Sequence, residues 1–270
     1  MKTISFAQMK GGTGKTTVAY NLSCKLAETQ KVLVIDFDQQ CNISSDFCFD
    51  IFDESAATVA DIFENIETDP LDIVIPAPIP ELPNLDLIPS TMYLNGTEQL
   101  LFTRAYREQA MSHYIEKNKN FFQYYDYVIF DTGPNVGIIN QNAFFVSDHI
   151  ILVSDPDVNA AQAAHVFLRL WNTARSFTNI PDHVDGLIIN NVERTKISSK
   201  MNDFVDSNET LSKIRLKHTI PHTTRFKECR EQNKPIHLLK TKSKDEENSR
   251  QRAENAVTEL ITEMKEKGLL

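Results

Sequence analysis

The octet Lys10-Gly11-Gly12-Thr13-Gly14-Lys15-Thr16-Thr17 has the residue types that grip a polyphosphate, at the spacing the grip requires. Its backbone can offer a nest of N–H groups at the positive end of a following helix, which suits a row of phosphates. Lys15 is placed to reach the β- and γ-phosphates, and the Thr16 hydroxyl to ligate Mg²⁺. The ordinary phosphate-loop pattern fails by one residue, because its first glycine position is Met9. A second lysine, Lys10, stands instead just ahead of the paired glycines. Gly11, Gly12, Thr13, Gly14 and Thr17 complete the candidate nucleotide contacts.

Magnesium on a nucleotide needs hard oxygen ligands, and an attacking water needs a polarising group. Two strand ends supply carboxylates. Val34-Ile35-Asp36-Phe37-Asp38 carries two aspartates, and Val128-Ile129-Phe130-Asp131 ends on a third. In an open parallel sheet the carboxyl ends of strands border the ligand crevice, so all three are expected to approach the loop. Cys24, Cys41, Cys48 and Cys229 show neither metal spacing nor the framework of a secreted protein.

The elements that must hold these groups alternate. Lys2–Ala7 reads as a strand and residues 14–28 as a helix with Val18, Leu22 and Leu26 on one stripe. Val32-Leu33-Val34-Ile35 is apolar throughout, as in a strand covered on both faces. A loop with a short helix near 58–63 follows, then a proline-rich stretch containing a strand at 85–88 and a helix over roughly 97–117. Further strands fall at 127–131, 150–153 and 186–189, with a helix near 160–178. A last short strand ends at Thr219-Ile220-Pro221, and a helix over about 249–267 puts Val257, Leu260, Ile261 and Met264 on one face. The pattern predicts one doubly wound α/β domain over 1–270, its mostly parallel sheet covered by helices on both faces.

Lys10 ahead of the glycine pair resembles the deviant Walker A box of the ParA/MinD group of ATPases. Asp36-Phe37-Asp38-Gln39-Gln40-Cys41-Asn42 resembles the D-x-D-P-Q-G-N segment of ParA-type members, with Gln39 for proline and Cys41 for glycine. Asn84–Ser90 fits the family's mid-chain strand, and Ile220-Pro221 followed by Arg225, Glu228 and Lys234-Pro235-Ile236 fits its late segment. The resemblance implies ATP and Mg²⁺ as ligands and a P-loop fold. It also implies that Lys10 crosses a homodimer interface to the partner's nucleotide. By the same match Asp38 positions the hydrolytic water and helps Thr16 hold magnesium, and Asp131 is the Walker B carboxylate. Pro221 and Asn190 or Asn191 would frame the adenine, although the local spacing is one residue short. The family's acidic-glycine pair is missing, with Gln162-Ala163 in its place.

Net charge is −9, but it is unevenly spread. Residues 194–252 hold 15 Lys and Arg against 8 Asp and Glu. A basic stretch on an acidic body suits phosphate backbones. Lys196, Lys200, Lys213, Arg215, Lys217, Arg225, Lys227, Lys240, Lys242, Lys244, Arg250 and Arg252 are the candidates. By resemblance the function is plasmid or chromosome partition. An ATP dimer binds non-specific DNA, and a centromere-binding ParB-like partner stimulates its slow ATP hydrolysis. The expected location is cytoplasmic and nucleoid-associated. Only nine residues precede Lys10, so no N-terminal helix-turn-helix is expected.

Two alternatives differ in class. A MinD-like membrane ATPase would end in a basic amphipathic helix, whereas the polar face of this tail carries acids. A metabolic ATP-dependent enzyme of the same fold would hydrolyse ATP only with a small substrate and would ignore DNA.

Overall fold

The stretch Val32–Phe37 is buried at every position, which requires cover on both of its faces. The computed structural model describes residues 1–176, 178, 180–193 and 199–270. Among the described residues seven strands form one sheet: β1 (Lys2–Ala7), β2 (Val32–Phe37), β3 (Ile75–Pro76), β4 (Leu85–Ile88), β5 (Tyr127–Thr132), β6 (His149–Ser154) and β7 (Val184–Ile189). Their spatial order is β3-β4-β2-β5-β1-β6-β7. Pairing is parallel except at the β3–β4 edge.

Alternate residues of each strand face different helices. Ile4, Phe6, Val34 and Ile129 meet Val18 and Leu22 of helix Lys15–Leu26, together with Val257 and Leu260 of helix Lys244–Glu266. On the other face Leu33, Ile35 and Phe130 meet Phe63, Leu94 and Met111, and Ile150 and Leu152 meet Phe144, Phe167 and Trp171. This is the expected doubly wound α/β architecture. From β1 the chain winds outward to β4, returns to place β5 beside β1, then builds β6 and β7 on the opposite side. The winding reverses at β1, so a crevice opens at its carboxyl end.

Three elements differ from the sequence expectation. The helix expected over 97–117 is two helices, Leu94–Leu101 and Ala110–Lys117, separated by a turn in which Tyr106 is left-handed (φ 57°). Arg104 leaves the helix to donate to the carbonyls of Phe63 and, at 3.0 Å, of Glu64, capping the end of helix Val59–Glu64. The strand ending at Pro221 is a single bridge to Val192, since proline has no N–H to extend a ladder. The C-terminal helix starts earlier, at Lys244, because Ser243 caps it by accepting from the Glu246 N–H.

Candidate nucleotide-binding site

β1 runs into the loop Gln8–Gly14, whose base is pinned by one side chain. Gln8 Nε2 donates to the carbonyls of Val153 and Ala160, at 3.2 and 3.3 Å, while its Oε1 accepts from Met9 N. Gly12 (φ 80°) and Gly14 (φ 84°) take left-handed conformations that side chains rarely tolerate. At Gly14 a Cβ would also lie 2.0 Å from Asn190 Nδ2. Gly14 caps helix Lys15–Leu26 without a side-chain acceptor, so the first N–H groups of the helix remain available to an anion.

Lys15 is 7% exposed, and burial holds its ammonium below the usual lysine range despite the pull of Asp131 and Asp38. The Thr16 hydroxyl donates to Asp131 Oδ2 at 2.7 Å. Asp131 Oδ1 is buried with no partner, and burial pushes this carboxyl up to about 7. A buried, unpaired carboxylate oxygen beside a hydroxyl and an ammonium is the environment of a cation–phosphate site. No cluster of three or more His, Cys, Asp or Glu fit for a metal occurs among the described residues, and a magnesium ion beside these side chains would complete its shell with phosphate and water oxygens. Thr16, Asp38 and Asp131 fit that arrangement.

Asp36 and Asp38 divide the work at the end of β2. Asp38 lines the cleft, with Oδ1 accepting from Gln40 N at 3.0 Å. Asp36 does not reach the loop, contrary to expectation. It is fully buried, and its oxygens accept from Asp38 N, Ser44 N and Ser44 Oγ at 2.9, 3.2 and 2.6 Å. Asp36 therefore shapes the turn that presents Asp38. In the same turn Cys41 is left-handed (φ 51°), a conformation to which glycine is better suited.

A cleft of 430 Å³ joins these groups, lined by Gly11, Gly12, Gly14, Lys15, Thr16, Thr17 and Asp38 with Asn190 and Asn191. Thr13 lies beneath it, and its carbonyl accepts from Asn190 Nδ2 at 2.8 Å, so Asn190 latches the loop. Asn190 Oδ1 is buried and unpaired. Asn191 (φ 55°) donates to Asp155 at 2.9 Å. Pro221 is not among the lining residues, but its neighbours His222 and Thr223 are. The sequence reading also missed Phe226 and Arg230, which line the cleft from helix Thr224–Gln232. Their signal was the spacing 223, 226, 227, 230, one face of a helix.

Lys10 lies outside the cleft. Its ammonium donates to Asp157 at 2.8 Å and lies 3.8 Å from Asp155. The hydrogen bond to Asp157 is the main cause that raises its pKa.

The basic residues part into two groups. Arg225 pairs with Glu228 and Glu246, and Arg250 with Glu247 and Glu254. These two side chains are 13% and 12% exposed, so their charges are spent inside the fold. Lys240, Lys242, Lys244 and Arg252 are exposed. Lys227 is exposed and lines the cleft, while Lys196 lies outside the described residues.

A parallel sheet whose first strand enters this loop defines a P-loop nucleotide-binding protein. The family model described as an AAA domain matches residues 1–181. Sporulation initiation inhibitor protein Soj of Bacillus subtilis (strain 168) is 30% identical over 251 residues, 91% of this chain and 94% of Soj. Chromosome partitioning protein ParA of Myxococcus xanthus (strain DK1622) is 26% identical, covering 89% of this chain and 82% of its own length. The ATP complex of Cyanothece McdA superposes with a TM-score of 0.81 at 20% identity, over 98% of this chain and 96% of that one. The chain belongs to the ParA/Soj-type partition ATPases of the ParA/MinD group.

No helix among the described residues is long and apolar enough to cross a membrane. The apolar stripe of the last helix, Val257, Leu260, Ile261 and Met264, is buried against the sheet.

Proposed function

We propose that the chain is an ATP-driven DNA-partitioning ATPase whose ATP-bound homodimer holds non-specific DNA and lets go on hydrolysis. A centromere-binding ParB-like partner stimulates that hydrolysis, and the protein works in the cytoplasm on the nucleoid. The observation that carries this reading is the pair of lysines flanking one glycine loop. Lys15 is buried in the cleft, whereas Lys10 is partly exposed outside it, where a second copy can reach it.

Each step follows from a named group. The free N–H groups at the start of helix Lys15–Leu26 and the Lys15 ammonium neutralise the phosphates of ATP. Mg²⁺ held by Thr16, Asp38 and Asp131 would draw charge from the terminal phosphates. Asp38, at the rim of the turn built by Asp36, orients the attacking water. Lys10 exchanges Asp157 for the partner's nucleotide, so its release and dimer formation are one event. Asn190 and Asn191 border the base side of the cleft. Lys240, Lys242, Lys244 and Arg252 contact DNA from the exposed end of the basic segment, and two copies double the number of phosphates met.

Non-specific duplex DNA is the first test, by sedimentation with ATP, ADP or no nucleotide at two salt concentrations. Salt-sensitive binding with ATP alone is expected. A small-molecule synthetase would show none. Light scattering of the Asp38→Ala protein in saturating ATP should give twice the single-chain mass, and Lys10→Ala added to it should return the single-chain value. Dimerisation unchanged by Lys10→Ala would remove the cross-subunit role.

A further inference from the structure

Asp38 borders two cavities. One is the nucleotide cleft, and the other is a chamber of 30 Å³ lined by Asp38 with Asn95, Glu98, Gly133, Asn135 and Asn140. At about 10–15 Å³ for each ordered water, the chamber has room for one or two. Its lining among the described residues includes two carboxylates and no lysine or arginine. Asp38 is 6% exposed, whereas Asn95 and Asn135 are exposed, so the chamber joins a buried carboxylate to the surface.

The frame of the chamber is built from specific contacts. Asn140 Nδ2 donates to the Gly133 carbonyl at 3.2 Å and to Asn135 Oδ1 at 2.9 Å, and its Oδ1 accepts from Gly133 N at 3.2 Å. These bonds hold Gly133 against the Asp38 turn, where a Cβ would lie 3.4 Å from Asp38 Oδ1. Glu98 enters from helix Leu94–Leu101 and meets Gly137, the cap of helix Ile138–Val146. A Cβ on Gly137 would lie 2.5 Å from Glu98 Oε1 and 2.8 Å from Asn135 Oδ1, so a side chain there would push the carboxylate out of place. Gly137 caps its helix without a side-chain acceptor, and that positive helix end attracts Glu98.

Asp38 Oδ1 accepts from Gln40 N at 3.0 Å, and one such bond leaves a carboxylate free to pivot about the contact. A second contact is needed to fix its plane. Two carboxylates are acceptors only and cannot bond each other, but a water carries two O–H donors and can serve both. We infer that Glu98 is a positioning residue for ATP hydrolysis. A water in the chamber donates to Asp38 and to Glu98, and this bridge turns the Asp38 carboxylate toward the attacking water. Glu98 does not line the nucleotide cleft, so it acts through Asp38. The inference rests on the ATPase reading above.

Steady-state ATP turnover with magnesium tests this on the wild type, Glu98→Ala, Glu98→Gln and Gly137→Ala, with folding of each checked by circular dichroism. Glu98→Ala removes the acceptor and should lower kcat at least about tenfold with KM for ATP within about twofold, because a misdirected Asp38 harms the chemical step and not binding. Glu98→Gln keeps an acceptor oxygen at the same reach and should retain kcat within about threefold. Gly137 has φ −71°, which alanine also adopts, so Gly137→Ala displaces the carboxylate without removing it and should lower kcat as Glu98→Ala does. It decides the matter if Glu98→Ala does not fold. Unchanged kcat in Glu98→Ala or Gly137→Ala, or a KM that rises in step with the fall in kcat, would overturn the positioning role. Equal losses in Glu98→Ala and Glu98→Gln would overturn the water bridge. A wild type that does not turn over ATP would overturn the ATPase reading and this role with it, whereas wild-type turnover indifferent to Glu98 would overturn the role alone.

Discussion

The phosphate loop and the basic segment at 194–252 both present positive charge, yet they were readable to different degrees. In the loop, each lysine sits beside glycines whose geometry leaves few alternatives. Gly12 and Gly14 need left-handed backbone, and Gly14 has no room for a Cβ. In the basic segment only the count is informative. Arg225 and Arg250 contribute to that count but are folded inward onto four glutamates, Glu228, Glu246, Glu247 and Glu254. Spacing specifies a site because backbone geometry enforces it. Charge composition specifies one only after packing has chosen which side chains face water.

The largest effect should come from the loop. Lys15→Ala removes the buried ammonium that faces the phosphates, and ATP turnover should fall by about a hundredfold or more in steady-state kinetics. A loss of less than tenfold would place the phosphates elsewhere.

Asp131→Asn should trade function for stability. Burial raises the Asp131 carboxyl from 3.8 to about 7, so the native state binds a proton that the unfolded chain releases. For this raised acid, native stability falls as pH rises from about 4 through 7 and stays low above it. At pH 8 without nucleotide, Asp131→Asn should therefore raise stability by on the order of 2–4 kcal/mol, while magnesium-dependent turnover collapses. Urea denaturation at pH 8 measures this, and a destabilised variant would contradict the assignment.

The comparison of the two regions is sharpened by testing both classes of basic residue. Arg250→Ala leaves Glu254 to Lys25 alone and removes the packing of a side chain only 12% exposed, and should cost about 1 kcal/mol in urea denaturation. Its effect on the salt dependence of DNA binding should be small. The triple change Lys240→Ala/Lys242→Ala/Lys244→Ala should cost under about 0.5 kcal/mol per site, yet lower the salt slope of DNA binding by roughly 1 per lost phosphate contact. If Arg250 controlled the slope and the lysines did not, the division drawn here would be reversed.

The smallest effect is expected at His237, buried with neither ring nitrogen hydrogen-bonded and Glu28 3.6 Å from Nε2. Burial lowers its pKa below 6.5, with Glu28 and Glu254 opposing that shift and Lys25 and Arg250 adding to it. The native imidazole is neutral, so its stability contribution is complete above pH 6.5 and is lost as the pH falls below that value. Between pH 7.5 and 5.5, His237→Leu should lose less stability than the wild type. A pH dependence identical to that of the wild type would assign it to other groups.

Taken alone, the amino-acid sequence determined the strand–helix alternation, the doubly wound sheet, the phosphate loop and the placement of Asp38 and Asp131 at strand ends. These follow from local rules: period, apolar runs and glycine spacing. Strand-end position alone did not separate Asp36 from Asp38, which only the family resemblance did, because the difference lies in Ser44, whose hydroxyl and N–H meet Asp36 only after the turn closes. The sequence pattern extended one helix through residues 102–109, because Arg104 leaves that helix to cap the end of another. It grouped Arg225 and Arg250 with the exposed lysines, and it gave no sign that Lys10 rests on Asp157. Arg104 and Lys10 find partners far along the chain, whereas Arg225 and Arg250 pair largely with helix neighbours, and only the packing of those helices decides that the pairs are covered.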